Sequence, residues 1–189
     1  MYKRQLQDAV FNLQSVLPLP LQLDSSNTQA LEKAMRMYNG KAMINSVNGK
    51  QSSMNEVFPL VQKYGGVVVC LCLDENGIPE TAKGRIAIAE KIIKTAESYG
   101  IDKKDLVVDA LVMTISTNKD NAKETLKAVE YIRHELGVGT VLGVSNISFG
   151  LPKREAINTA FFTLALKAGL SAGIINCLLY TSPSPRDCS

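Results

Sequence analysis

Short apolar runs alternate with amphipathic stretches along most of the chain. The runs are PLQLDSS (20–26), KAMINSV (41–47), GVVVCLCLD (66–74), DLVVDAL (105–111), GTVLGVSN (139–146) and AGIIN (172–176). They are too short for helices, and several are hydrophobic at consecutive rather than alternating positions, which predicts strands covered on both faces. Between them lie TQALEKAMRMY, MNEVFPLVQKYG, TAKGRIAIAEKIIKTAESYG, NAKETLKAVEYIRHELG and REAINTAFFTLALKAG. Apolar residues return there at helical spacing, and several of these segments stop on glycine, as helix C-termini do. A further helix is expected over 6–17. Strands alternating with helices predict a parallel sheet built from crossover units.

A (β/α)8 barrel and a doubly wound sheet both satisfy that alternation. The ends of the runs separate them. Asp24, Asn45, Asp74, Asp109, Asn146 and Asn176 each close an apolar run. Any one of them could cap the following helix or shape a turn. Six in succession, with no GxGxxG or Walker loop after a strand, instead predict a shared polar mouth at the C-terminal ends of barrel strands. The expected fold class is therefore α/β, a TIM barrel with about six of eight βα units present.

Composition narrows the picture. The chain has 189 residues, 46% hydrophobic and 21% charged, enough for one domain with a sizeable core. No apolar run approaches the roughly 20 residues that span a bilayer, and no signal-like amino terminus precedes the first helix, so a cytoplasmic protein with no membrane partner is expected. The net charge of +3 is scattered over the helical segments. With no basic stripe to follow a phosphate backbone, nucleic acid is not an expected partner. Cys70 and Cys72 form a CxC inside an apolar run, without further ligands at zinc spacing, and read as core packing.

The two ends do not continue the pattern. CLLYTSPSPRDCS, from Cys177 on, shifts abruptly to Ser, Pro and Thr. Tyr2-Lys3-Arg4-Gln5 can be encoded by TAT AAG AGA CAG, whose reverse complement, read one base later, gives Cys-Leu-Leu-Tyr, the residues at 177–180. Residues 1–5 and 177–189 are therefore expected to be adapter-derived, leaving 6–176 as a partial barrel domain. Three basic residues and one acidic residue lie in those ends, so the domain itself is close to neutral.

The expected ring holds Asp and Asn but no cysteine, lysine or histidine. The single histidine, His134, falls in a helical stretch, which disfavours covalent catalysis and a histidine base. Carboxylates accept from N–H and NH2, while carboxamides both donate and accept, so the ring suits a pterin or purine. A divalent ion on Asp24, Asp74 and Asp109 is the weaker alternative, since no glutamate or histidine ligand stands at a strand end.

LDSSN (23–27), MINSVNG (43–49), LDENGIPETA (73–82) and LGVSNISFGLPKRE (142–155) carry a resemblance. Taken in order, they are similar to the pterin-binding barrel of cobalamin-dependent methionine synthase and of the methyltetrahydrofolate:corrinoid protein methyltransferases. The resemblance implies pterin recognition by Asp24, Asn45 and Asp109, with Asp74 a weaker match. It implies that Asn146 reaches N5, the methyl-bearing nitrogen, and that Arg154 lies near the folate tail or shapes the loop. The implied substrate is 5-methyltetrahydrofolate and the implied acceptor is cobalamin on a separate corrinoid-binding module or protein. Gly143, Ser145 and Gly150 would let a flat ring approach the backbone, unless they are loop residues only.

The sequence departs from this family at Asp109-Ala110-Leu111, where Asp-Pro-Leu is usual; alanine could loosen the carboxylate's aim. The serine, arginine and lysine that dihydropteroate synthases use late in their barrel are absent, which disfavours that rival. A barrel segment that binds pterin without transferring methyl is the non-enzymatic alternative. The family's first two strands are also expected to be missing from this sequence, and six strands would leave unpaired edges. The 189-residue chain by itself is accordingly expected to be inactive, and to aggregate or stay molten. Thermal unfolding of the purified chain tests this: a sharp cooperative melt of a monomer would contradict it.

Overall fold

The computed structural model describes residues 2–176, with side chains from Gln5 onward. The stretch 177–189, expected above to be foreign, lies outside the described residues. In chain order the elements are α1 (Tyr2–Val16), β1 (Gln22–Asp24), α2 (Thr28–Met37), β2 (Met43–Asn48), α3 (Gln51–Tyr64), β3 (Val67–Leu71) and α4 (Ala82–Ser98). There follow β4 (Leu106–Asp109), α5 (Asn121–His134), β5 (Gly139–Gly143), a 3-10 turn (Val144–Ser148), α6 (Arg154–Lys167) and β6 (Ala172–Ile174).

All six strands pair in parallel, in the order β1-β2-β3-β4-β5-β6. A doubly wound sheet would reverse its strand order at a switch point. Here the order never reverses, and each helix from α1 to α6 touches the next, so the helices form one outer layer around a curled half-barrel. This is the TIM-barrel-like arrangement that the polar strand ends predicted.

Burial explains which residues became strand and which helix. Val68, Val69 and Cys70 at the centre of β3, and Thr140, Val141 and Leu142 at the centre of β5, are buried at consecutive positions, as strands covered on both faces require. The edge strands differ: β1 buries only Leu23, and β6 is exposed throughout. Helix α3 buries Met54, Val57, Phe58 and Val61, one stripe at helical spacing. Asn27 caps α2 by accepting from the Ala30 N–H at 2.9 Å, and Thr81 caps α4 by accepting from the Gly84 N–H at 3.2 Å. Helix α1 is tied back by Gln14, whose amide donates to the Asn39 carbonyl and accepts from the Asn39 N–H, both at 3.1 Å.

The strands are shorter than the apolar runs implied. Only Asp24 and Asp109 are the last residues of their strands, and Asn45 lies inside β2. Asp74, Asn146 and Asn176 fall beyond the ends of β3, β5 and β6, where the run's hydrophobicity continues after strand pairing has stopped. The β2–β3 register also shifts between Asn45 and Val47, so β2 bulges at its polar end.

Phe58 is fully buried, with its ring 5.6 Å from that of Tyr99. Phe58→Ala in the intact protein should cost about 3–5 kcal/mol. Urea unfolding should show a lower midpoint at an unchanged slope.

Candidate functional site

The first corner of the rim is built by β1 and β2. Asp24 and Asn45 pair in register, the Ser25 N–H donates to the Asn45 carbonyl at 3.2 Å, and the Asn45 amide donates to Asp24 Oδ2 at 3.3 Å. Both side chains line a polar cleft of about 360 Å³, together with Ser25, Ser46, Asn48 and Lys50. That volume lies in the range of small-molecule pockets.

Asp109 closes β4 and is buried, 7% exposed. Register places it level with Leu71 of β3, whereas Asn45 is level with Val69, so Asp109 stands two residues further towards the C-terminal ends of the strands than the Asp24–Asn45 pair. Its Oδ1 accepts the Leu111 N–H at 2.8 Å, which makes a tight turn across Ala110. Leu111 holds a left-handed backbone, φ 61°, sparsely populated for a side chain of its size. Burial pushes the Asp109 carboxyl from its ordinary 3.8 up to about 6, against the opposing pull of the Leu111 N–H and then of the Arg85 guanidinium.

Asp74 is drawn into a turn of its own. Its backbone exchanges two hydrogen bonds with Gly77, both 3.1 Å, and its Oδ1 accepts the Asn76 N–H at 2.8 Å. One carboxylate oxygen therefore shapes the loop after β3.

Asn146 sits in the 3-10 turn after β5 and is exposed. Three side chains fix that turn. Arg154, at the start of α6, donates from Nε to Ser148 Oγ at 3.0 Å and from Nη2 to the Ser145 carbonyl at 2.8 Å. The buried Ser148 hydroxyl in turn bonds Asn158 Oδ1 at 2.7 Å. Arg154 therefore grips the turn that carries Asn146. Lys153, just before it, is the second left-handed residue that is not glycine, φ 53°. At Gly143 an added methyl group would stand 3.1 Å from Nδ2 of Asn146, so the glycine makes room for the amide. Gly150 has a different reason, a positive φ of 80°.

The loops after β4 and β5 are stitched together. The Ile115 N–H donates to the Ile147 carbonyl at 3.0 Å, and the Thr114 and Ser116 hydroxyls donate to the Phe149 carbonyl at 2.8 and 3.0 Å. Asp109 and Asn146 thus belong to one braced unit, and Asp24 and Asn45 to another. Among the described residues no group of three or more His, Cys, Asp or Glu side chains could hold a metal ion, so Asp24, Asp74 and Asp109 do not converge on one.

Sequence reasoning passed over the supports of this rim: Arg85, Thr125, Ser148 and Asn158. Arg85 is fully buried on α4, where it follows the stripe of Ile88, Ala89, Ile92 and Ala96. A charged residue at helical spacing on an apolar stripe was the signal that could have found it. Cys70 and Cys72 are buried free thiols, and burial pushes Cys70 up to about 12, so both are inert packing.

With this geometry in place, comparison with known proteins is informative. The family model described as pterin binding enzyme matches residues 4–176. Methionine synthase of Mycobacterium tuberculosis is 34% identical over 171 residues, covering 84% of this chain and 14% of that protein. Methylcorrinoid:tetrahydrofolate methyltransferase of Eubacterium limosum is 26% identical over 180 residues, 93% of this chain and 64% of that protein. The chain thus spans less than two thirds of either relative. Among solved structures, 7,8-dihydropteroate synthase from Vibrio fischeri superposes with a TM-score of 0.74 at 18% identity, covering 94% of this chain and 69% of that one. That likeness shows the fold.

The raised Asp109 carboxyl has a stability consequence. An acid whose folded value exceeds its unfolded value binds more protons when folded, so stability falls as pH rises from about 4 to about 6 and is level above that. Asp109→Asn should flatten that slope and add up to about 3 kcal/mol at pH 7. Urea midpoints of both proteins at pH 4.5 and pH 7 check it.

Proposed function

The chain belongs to the pterin binding enzyme family, and from that premise we propose that it binds 5-methyltetrahydrofolate at this rim and passes the N5 methyl group to a corrinoid. The corrinoid would be carried on a separate module or protein, as in methionine synthase or a stand-alone corrinoid methyltransferase. The names of two relatives, a methionine synthase and a methylcorrinoid:tetrahydrofolate methyltransferase, support the reading. The observation that carries it is the Asn146 turn, where three side chains and a glycine are spent on presenting one exposed carboxamide.

Each rim residue has a task in this reading. Asp109, with Oδ1 engaged by Leu111, has Oδ2 left to accept from the pterin's N–H groups. Asn45 and Asp24 complete the polar edge for the same ring, their mutual hydrogen bond of 3.3 Å long enough to be exchanged for a ligand contact. Asn146 acts on N5. Tetrahydrofolate leaves poorly unless N5 gains positive charge, and the carbonyl oxygen of Asn146 can accept from protonated N5 as charge develops. Asp74 contributes through the shape of the loop after β3. When bound, the corrinoid supplies a cobalt centre that accepts the methyl group. This chain offers it an open approach, because Asn146 is exposed and the neighbouring Phe149 ring is 68% exposed.

Asn146→Ala in the intact protein should slow single-turnover methyl transfer to cob(I)alamin by on the order of 10²–10³, about 3–4 kcal/mol, with a much smaller effect on folate binding. Gly143→Ala should act in the same direction more mildly, because its methyl displaces the same amide while its own φ of −76° suits alanine. A rate within threefold of wild type for Asn146→Ala, with a lowered melting temperature, would leave it a turn residue. Folate binding without any transfer would make the protein a pterin-binding module.

A further inference from the structure

We propose that Arg85 is the positioning residue for the Asp109 carboxylate: from α4 it locks the left-handed turn at Leu111 and holds a positive charge behind the acid, so that Asp109 meets its ligand ionised and correctly aimed. The proposal rests on the reading of Asp109 as the acceptor for the pterin's N–H groups.

The connection is short and runs through one peptide. Arg85 Nη1 donates to the Leu111 carbonyl at 3.0 Å, and the N–H of the same residue donates to Asp109 Oδ1 at 2.8 Å. The left-handed conformation at Leu111 is what points its two polar groups at these partners, and such a conformation persists only where its surroundings impose it. Arg85 is itself held from three sides. Its Nε donates to the Pro79 carbonyl at 2.9 Å, Nη1 also reaches Thr125 Oγ1 at 2.7 Å, and the side chain is fully buried.

Bracing alone does not explain a guanidinium here. Nη2 is buried with no hydrogen-bond partner, and an unsatisfied buried nitrogen on a charged group is costly. A neutral donor could satisfy the Leu111 carbonyl more cheaply. What only the arginine adds is charge. The charged and titratable groups that act on this corner are Arg85 of α4, Cys72 just beyond β3, and Glu124 of α5, which faces Arg85. Burial pushes the Cys72 thiol up, so it is neutral at pH 7. Arg85 is therefore the cation that opposes the upward push of burial on Asp109.

The sign of the effect follows. Without the cation, Asp109 titrates higher, is more protonated at pH 7, and has less carboxylate to accept from a heterocycle; raising the pH restores it. A purely structural role predicts a loss that pH does not repair.

The test uses the intact protein with Arg85→Gln and Arg85→Lys. The Asp109 carboxyl is titrated by carbon-13 NMR, with Asp109→Asn to assign the signal. Binding of 5-methyltetrahydrofolate is measured by calorimetry between pH 6 and pH 9. Arg85→Gln should raise the Asp109 midpoint by about one unit, which by itself weakens binding about fivefold at pH 6, about twofold at pH 7 and not at all by pH 9, on top of a pH-independent loss of aim of about threefold. Arg85→Lys should hold the midpoint, but it cannot span the Pro79, Leu111 and Thr125 contacts at once, so its binding should fall about threefold at every pH. An unmoved midpoint in Arg85→Gln, or a binding loss independent of pH, overturns the charge role. If that variant does not fold, wild-type binding in Arg85→Lys overturns the aiming role. Should Asp109→Asn bind folate like wild type, the pterin assignment fails instead, and the titration still decides whether Arg85 controls Asp109.

Discussion

Everything at the rim depends on one constraint: six strands pair in parallel and in chain order, with no reversal. Parallel pairing aligns all C-terminal ends on one side, and crossover helices keep every strand pointing the same way. The polar residues that close or follow each apolar run are thereby delivered to the same side of the sheet, although they lie up to 152 residues apart in the sequence. The same pairing leaves β1 and β6 as exposed edges, so the curl is stabilised from its centre outward, where β3 and β5 are buried on both faces.

The rim has two halves that differ in their physics. Around Asp24 and Asn45 it is open and polar, and the side chains satisfy each other at long distance. Around Asp109 and Asn146 it is stiff, because the loops after β4 and β5 are cross-bonded and each carries a non-glycine residue in the left-handed region. Backbone of that kind is expensive locally and persists where tertiary bonds impose it. Leu111 is held between Asp109 and Arg85, and Lys153 leads directly into the Arg154 grip on the Asn146 turn. Stiffness in this half suits groups whose value depends on aim, while the open half leaves room for a ring to enter.

The relatives make a wider point about this architecture. A methionine synthase and a methylcorrinoid:tetrahydrofolate methyltransferase match the chain in sequence, and a dihydropteroate synthase matches it in fold at 18% identity. A shared barrel does not choose between such reactions; the residues grafted on its rim do. In this chain the turn from Gly143 to Arg154 is the most heavily engineered part of that rim, and there the reading of function rests.

Much of this was legible before any coordinates. Consecutive apolar positions announced buried parallel strands, glycine stops and polar caps announced the helices, and the recurrence of Asp and Asn after each run announced a polar mouth. Local patterns suffice for these because strand burial, helix periodicity and capping are properties of neighbouring residues. Ladder lengths were overestimated at β3, β5 and β6, since hydrophobicity continues into turns after pairing has ended. Ser148 and Asn158 were invisible as parts of the site, and Arg85 showed only as a charge on an apolar helical stripe, for their partners come from other elements or across a turn. Residue order alone therefore determined the fold class and the polar residues available to the rim. Only the tertiary structure decided which of them are buried, charged and aimed, because burial, field and orientation arise from groups that the chain brings together through space.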